Sequence, residues 1–295
     1  MTPTCARHDW TAPDGATFSY SQWSSAHQPP RAIVVAVHGL SGAALDYEPL
    51  GRPLAPHGIT TLAVELRGQG NDPFPTRRGD LVQIEDWYAD LRAFLALVQG
   101  EHPGTPLYYY GESMGAALLT RFLAQAAPSD QPAGLILASP VVALPRRAEP
   151  WQRWLFRLLL WLRPTFRVNV RKLAKPKNGQ PPALVTRDES HRRWFETAPH
   201  RLDRYTLRFF RCLHDLIDGC FDAAPRLRVP VLVIYAAHDV FIPPARVEEF
   251  FALLGSRDKQ LRLFPEAYHL LLHDHDSAAA LAEIEGWLLA RLPDG

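Results

Sequence analysis

The chain has 295 residues, 47% of them hydrophobic, with 32 Lys+Arg against 31 Asp+Glu and a formal net charge of +1. The apolar share supports a sizeable core and excludes wholesale disorder. The length suits one large α/β domain or two small ones, and the near-zero charge gives no global pull toward nucleic acid.

In chain order, residues 1–10 carry Arg7, His8 and Asp9 and lack the apolar centre of a signal peptide. Residues 17–23 read as an antiparallel edge strand. Residues 31–37 form a β-branched run ending at His38-Gly39, and residues 59–66 form another, ending at Arg67-Gly68. Further strands are expected at 107–110, 134–138, 231–235 and 260–264, with helices at 84–98, 114–125, 245–254 and 278–292. Near-continuous apolar strands are buried on both faces, and their alternation with helices implies a mostly parallel central sheet. The rhythm stops between residues 143 and 227, which read as helical and Pro-interrupted with no clear strand. This stretch is strongly basic, its Lys and Arg outnumbering Asp and Glu roughly two to one. Residues 175–182 are its one linker-like segment. The expected organisation is therefore a core at 1–142, a helical cap inserted at 143–227 before the last two strands, and the rest of the core at 228–295. No apolar stretch reaches the ~18 residues of a spanning helix, and Cys5, Cys212 and Cys220 form neither a CxxC nor an even set. A cytoplasmic protein, at most peripheral to the membrane, is the expectation.

One motif carries chemistry. Gly111-Glu112-Ser113-Met114-Gly115 follows the strand at 107–110 and precedes the helix at 114–125. Alone, such a Gly-x-Ser-x-Gly match arises by accident in roughly one chain in ten of this length. Between strand and helix it forms a nucleophile elbow, which exposes the serine Oγ at the positive end of a helix. A serine nucleophile needs a base, and the base needs an orienting group. After the next strand comes Ala236-Ala237-His238-Asp239, which makes Asp239 the candidate acid. After the last strand comes Pro265-Glu266-Ala267-Tyr268-His269, which makes His269 the candidate base. His273 and His275 remain alternatives by chain order, with Asp274 or Asp276 as an N-cap for the final helix. A metal pair of His269 and His273 lacks the glutamate of a zincin arrangement. The oxyanion hole requires two backbone N–H donors, expected from Met114 and from Leu40 in His38-Gly39-Leu40-Ser41-Gly42. His38 is expected to shape this turn and not to carry protons.

These residues resemble the monoacylglycerol lipase and lysophospholipase-like branch of the α/β-hydrolases. The shared features are His38-Gly39, Glu65-x-Arg67-Gly68-x-Gly70, the elbow, Ala237-x-Asp239 with Pro243, and Tyr268-His269-x-x-x-His273. Leu184-Val185-Thr186-Arg187-Asp188 is similar to the family's cap signature. The resemblance runs from about Thr17 onward. It departs at Glu65, where the family has Asp, at Gln69, where it has His, and at Ser41-Gly42-Ala43, where Gly-Glu-His is common. It implies a serine hydrolase without cofactor or metal, acting on a lipid-like monoester such as a monoacylglycerol or lysophospholipid. A short-chain carboxylesterase, a thioesterase with the same triad and a non-catalytic binding protein on the same fold remain alternatives.

The cap segment 151–162 places Trp151, Trp154, Leu155, Leu158, Trp161 and Leu162 on one helical face, with Arg153 and Arg157 beside it. Two readings are open: a helix packed on the core, or a lid whose Trp and Arg meet a lipid interface. No aromatic-basic nucleic-acid motif accompanies the cap's charge.

Overall fold

The computed structural model describes residues 4–24, 29–144, 149–170 and 184–292. In chain order its strands are β1 (Thr4–Thr11), β2 (Thr17–Ser24), β3 (Ala32–Val37), β4 (Ile59–Val64), β5 (Leu107–Glu112), β6 (Gly134–Ala138), β7 (Arg167–Asn169), β8 (Arg204–Thr206), β9 (Val231–Ala236) and β10 (Lys259–Phe264). The described helices are α1 (Glu48–Leu54), α2 (Glu85–Glu101), α3 (Met114–Leu123), α4 (Pro150–Leu162), α5 (Glu189–Thr197), α6 (Leu207–Asp218), α7 (Cys220–Ala223), α8 (Pro244–Leu253) and α9 (Ser277–Leu289).

Eight strands form one sheet in the order β1-β2-β4-β3-β5-β6-β9-β10. All its neighbours from β4 to β10 are parallel, while β1–β2 and β2–β4 are antiparallel. Strands β3, β4, β5, β6 and β9 are buried along their whole length, because helices cover both faces. One face packs Phe94 of α2, Leu118 and Phe122 of α3, Phe209 of α6 and Phe250 of α8. The other packs Leu50 and Leu54 of α1 and Ile284, Trp287 and Leu288 of α9. This is the α/β-hydrolase fold, with each of the expected helices displaced by no more than three residues at either end.

Two expectations are corrected and a third is narrowed. Strand β2 is antiparallel but interior, since β1 pairs outside it over eight residues. The stretch between β6 and β9 contains strands, because Arg167–Asn169 pairs antiparallel with Arg204–Thr206. Asp276 occupies the N-cap position of α9 without a side-chain cap bond, and Asp274 is committed elsewhere, as described below. The linker-like residues 175–182 lie outside the described residues.

Between β6 and β9, α6 and α7 bury Phe209, Cys212, Leu216, Ile217 and Cys220 in the main hydrophobic core. Helix α4 buries none of its residues: Trp151, Trp154 and Trp161 are 64%, 65% and 79% exposed. The face marked by the sequence pattern thus points away from the core, and the reading of that face as a packing surface is corrected. Among the described residues no helix is long and apolar enough to cross a membrane. All three cysteines are free, Cys5 exposed and Cys212 and Cys220 buried.

Candidate active site

Strand β5 delivers Ser113 to the carboxyl edge of the sheet, and α3 begins at the next residue. Ser113 has φ 55° and ψ −115°, outside the ordinary regions for an L-residue. Its backbone N–H donates to Ala138 O of β6 at 2.9 Å, which pins the elbow to the sheet. Gly115 lets α3 start this close to β3, since a Cβ there would lie 2.1 Å from Val37 O.

The structure brings the three sequence-derived candidates together. His269 Nε2 lies 2.8 Å from Ser113 Oγ, and His269 Nδ1 lies 2.7 Å from Asp239 Oδ2. A carboxylate only accepts, so Nδ1–H donates to Asp239 and Nε2 is left to accept the serine hydroxyl. The other Asp239 oxygen accepts from the N–H groups of Phe241 at 2.8 Å and Ile242 at 3.3 Å. The His269 and Asp239 side chains are 3% and 2% exposed, and the Phe241 ring meets the imidazole edge-on at 4.6 Å. The two loops are also joined, His238 N–H donating to Ala267 O.

His273 and His275 are not part of this chain of contacts. His273 Nε2 meets Asp46 O at 2.9 Å, and its ring stacks on His191 of α5 at 4.0 Å. Burial, reinforced by His191, pushes the His273 pKa down to about 4.

The loop carrying Leu40 runs against Ser113: a Cβ on Gly39 would lie 3.1 Å from Ser113 Cβ. Its shape is fixed from several sides. His38 Nδ1–H donates to Gly39 O at 2.8 Å while Nε2 accepts from Leu66 N–H at 3.2 Å. Burial lowers the His38 pKa to about 4, so this imidazole is a neutral structural group, in keeping with its expected role. Ser41, at φ 62°, donates its N–H to Gln69 Oε1, and its hydroxyl contacts Tyr205 OH at 2.6 Å. Glu65 Oε1 accepts from Ala44 N–H and Asn71 Nδ2. Glu65 and Gln69, two departures from the family pattern, therefore both brace the Leu40 loop. Met114 supplies the first N–H of α3, a donor without a partner inside the helix. Burial raises the carboxyl groups of Asp46 and Glu112 to about 7; beside Glu112, His269 acts in the opposite direction.

Sequence reasoning missed the support of the base. Tyr268 N–H donates to Asp274 Oδ2 at 2.7 Å, and Asp274 Oδ1 accepts from the N–H groups of Arg187 and His275, both at 2.9 Å. Burial pushes the Asp274 carboxyl upward, but these donors outweigh it and hold the pKa below the usual range. The similarity of residues 184–188 to the cap signature marked one end of this contact and left the other unseen.

Comparison with known proteins finds relatives of the chain. The family model described as serine aminopeptidase S33 (Hydrolase_4) matches residues 28–276. A monoacylglycerol lipase of Mycolicibacterium smegmatis is 22% identical over 292 residues, covering 99% of this chain and 100% of the relative. The human monoglyceride lipase is 26% identical over 250 residues, covering 82% and 76%. The solved structure of a soluble variant of the Saccharomyces cerevisiae monoglyceride lipase, in complex with a substrate analog, superposes with a TM-score of 0.82 at 20% identity, covering 100% and 97%. At that identity the superposition speaks for the fold.

Proposed function

Since the chain belongs to the serine aminopeptidase S33 family of α/β-hydrolases, we propose that it hydrolyses a lipid-like carboxylic monoester, a monoacylglycerol or lysophospholipid, through an acyl-enzyme on Ser113. The observation that carries the reading is the continuous hydrogen-bonded line from Ser113 Oγ through His269 to Asp239. The family relatives with full-length coverage add the substrate class.

In this reading His269 Nε2 takes the Ser113 proton as Oγ attacks the ester carbonyl carbon. The carbonyl oxygen gains negative charge between the N–H groups of Leu40 and Met114. Asp239 stabilises the imidazolium through Nδ1–H. Collapse of the tetrahedral centre breaks the bond to the alcohol oxygen, which leaves with the proton from Nε2. Water, deprotonated by His269, then attacks the acyl carbon and releases the acid and free Ser113. The residues assigned to the cap are 143–227, between core segments 1–142 and 228–295. Its exposed Trp151, Trp154 and Trp161 are assigned a peripheral membrane contact through which the substrate arrives. Three free thiols suit a reducing, cytoplasmic setting.

The test joins a fluorophosphonate probe to a hydrolysis panel from p-nitrophenyl acetate to palmitate, with monoolein and lysophosphatidylcholine. Wild type should label and Ser113→Ala should not, and turnover should favour the long-chain monoesters. Labelling of Ser113→Ala equal to wild type overturns the nucleophile. A preference for acetate over all lipid substrates replaces the lipase reading with a short-chain esterase.

A further inference from the structure

The loop that carries His269 is held from the insertion as well as from the core. On one side of the histidine, Tyr268 N–H donates to Asp274 Oδ2 at 2.7 Å. On the other, Leu270 N–H donates to Val185 O at 2.9 Å. Thr186 Oγ1 donates to His273 O at 2.5 Å and accepts from Asp188 N–H. Arg187 contributes its backbone N–H and its Nε, at 2.9 and 3.2 Å, to Asp274 Oδ1, and its Nη2 to Asp276 at 2.9 Å. The Asp274 side chain has no solvent exposure. It accepts three backbone N–H groups, from Tyr268, Arg187 and His275, and it touches neither Ser113, Asp239 nor the His269 ring in any of these bonds.

We infer that Asp274 is a positioning residue for the base, through which the insertion segment Val185–Arg187 fixes the placement of the His269 ring between Ser113 and Asp239. The inference rests on the reading of His269 as the base given above. Its physical ground is that an imidazole must satisfy two partners at 2.7 and 2.8 Å at once, while its backbone lies on a turn outside any regular element. The neighbouring N–H groups at 268 and 270 are both anchored, and both anchors lead to residues 185–187. On this inference, removal of the grip of residues 185–187 leaves the ring free to swing off one partner. A displacement of about 1 Å near reacting groups costs on the order of 100-fold in rate.

The experiment uses the full chain with Asp274→Asn, Asp274→Glu, Thr186→Val and Arg187→Ala, and the double variant Asp274→Asn/Arg187→Ala. Asparagine keeps the volume but turns an N–H donor toward backbone N–H groups that need an acceptor. Rates are expressed per folded molecule, from circular dichroism and Tm on the same samples. Expected for Asp274→Asn is a fall in kcat of about 10- to 100-fold with KM changed less than about threefold. The acid limb of the kcat/KM profile should move, because a misplaced ring loses its bond to Asp239. Asp274→Glu should restore part of kcat, and Arg187→Ala should add little to Asp274→Asn because the two act through one contact. Unchanged kcat and pH profile per folded molecule in Asp274→Asn overturn the inference. So does full additivity of the double variant. Should Asp274→Asn fail to fold, Thr186→Val and Arg187→Ala carry the same test, and wild-type kcat and pH profile in both overturn it. Failure of the underlying reading looks different: His269→Ala would then retain wild-type turnover and probe labelling.

Discussion

Residues around Ser113 show how hydrogen-bond partners divide identical chemical groups into different roles. Of the histidines near the site, His269 bridges two polar partners, whereas His38 and His273 are held neutral by burial with pKa values near 4. The consequence is a testable acid sensitivity. A histidine whose folded pKa lies below its unfolded value of about 6.5 favours the fold fully above that value. This contribution is lost as pH falls toward 4, because the unfolded chain binds the proton first. Asp46 and Glu112, raised to about 7, act with the opposite slope: their contribution is present at low pH and declines as pH rises from about 4 to 7. Comparison with His273→Gln cancels the carboxyl effects. Between pH 7 and pH 4.5 wild type should lose on the order of 2 kcal/mol relative to the variant, read by urea denaturation at each pH. A difference that stays constant with pH refutes the assignment.

At the scale of elements, the parallel strands were legible because each is an unbroken apolar run, and a strand buried on both faces leaves that signature. Strand β1 was not legible: Thr4–Thr11 carries Arg7, His8 and Asp9, and of Cys5, Ala6 and Trp10 only Trp10 is buried. It belongs to the sheet through its ladder to β2, which sequence does not display. The pair β7–β8 escaped notice for a different reason, since three residues per strand give no periodicity. The triad candidates could be read because chain order and strand ends locate them, while Asp274 could not, because its partners lie nearly ninety positions away in Thr186 and Arg187. Helix α4 was recognised as an element, but its outward face required the structure. That face yields a prediction: Trp154→Ala/Trp161→Ala should weaken co-sedimentation with anionic vesicles several-fold, as burial of each aromatic ring at an interface is lost. Activity on soluble p-nitrophenyl butyrate should be unchanged. Equal and negligible vesicle binding by wild type, with and without anionic lipid, refutes the membrane contact.

For the molecule as a whole, the sheet is continuous across the long stretch between β6 and β9. Strands β6 and β9 are parallel neighbours, with Leu135 opposite Val231 and Ala138 opposite Ile234, although residues 139–230 intervene. A second set of ties crosses at the loop before α2. Thr206 Oγ1 and Arg208 Nε each donate to Asp80 Oδ1 at 2.7 Å. The stretch between β6 and β9 thus holds Asp80 as well as Asp274.

The placement of β9 beside β6 also sets the order in which the molecule can be made. Closing a loop of roughly ninety residues costs about 1 kcal/mol more than closing one of twenty, and distant pairings form slowly. Strands β1 to β6 have all their partners within the first 138 residues, apart from the β9 edge of β6. In refolding from urea they should assemble first, with β9 and β10 docking afterwards. Asp239 and His269 both follow β9, so reactivity of Ser113 toward a fluorophosphonate should emerge in a later kinetic phase than most of the far-ultraviolet signal. Simultaneous recovery of the two would contradict this order. On the proposed mechanism a newly synthesised chain carries Ser113 long before it carries Asp239 and His269, so an incompletely folded molecule should be chemically silent.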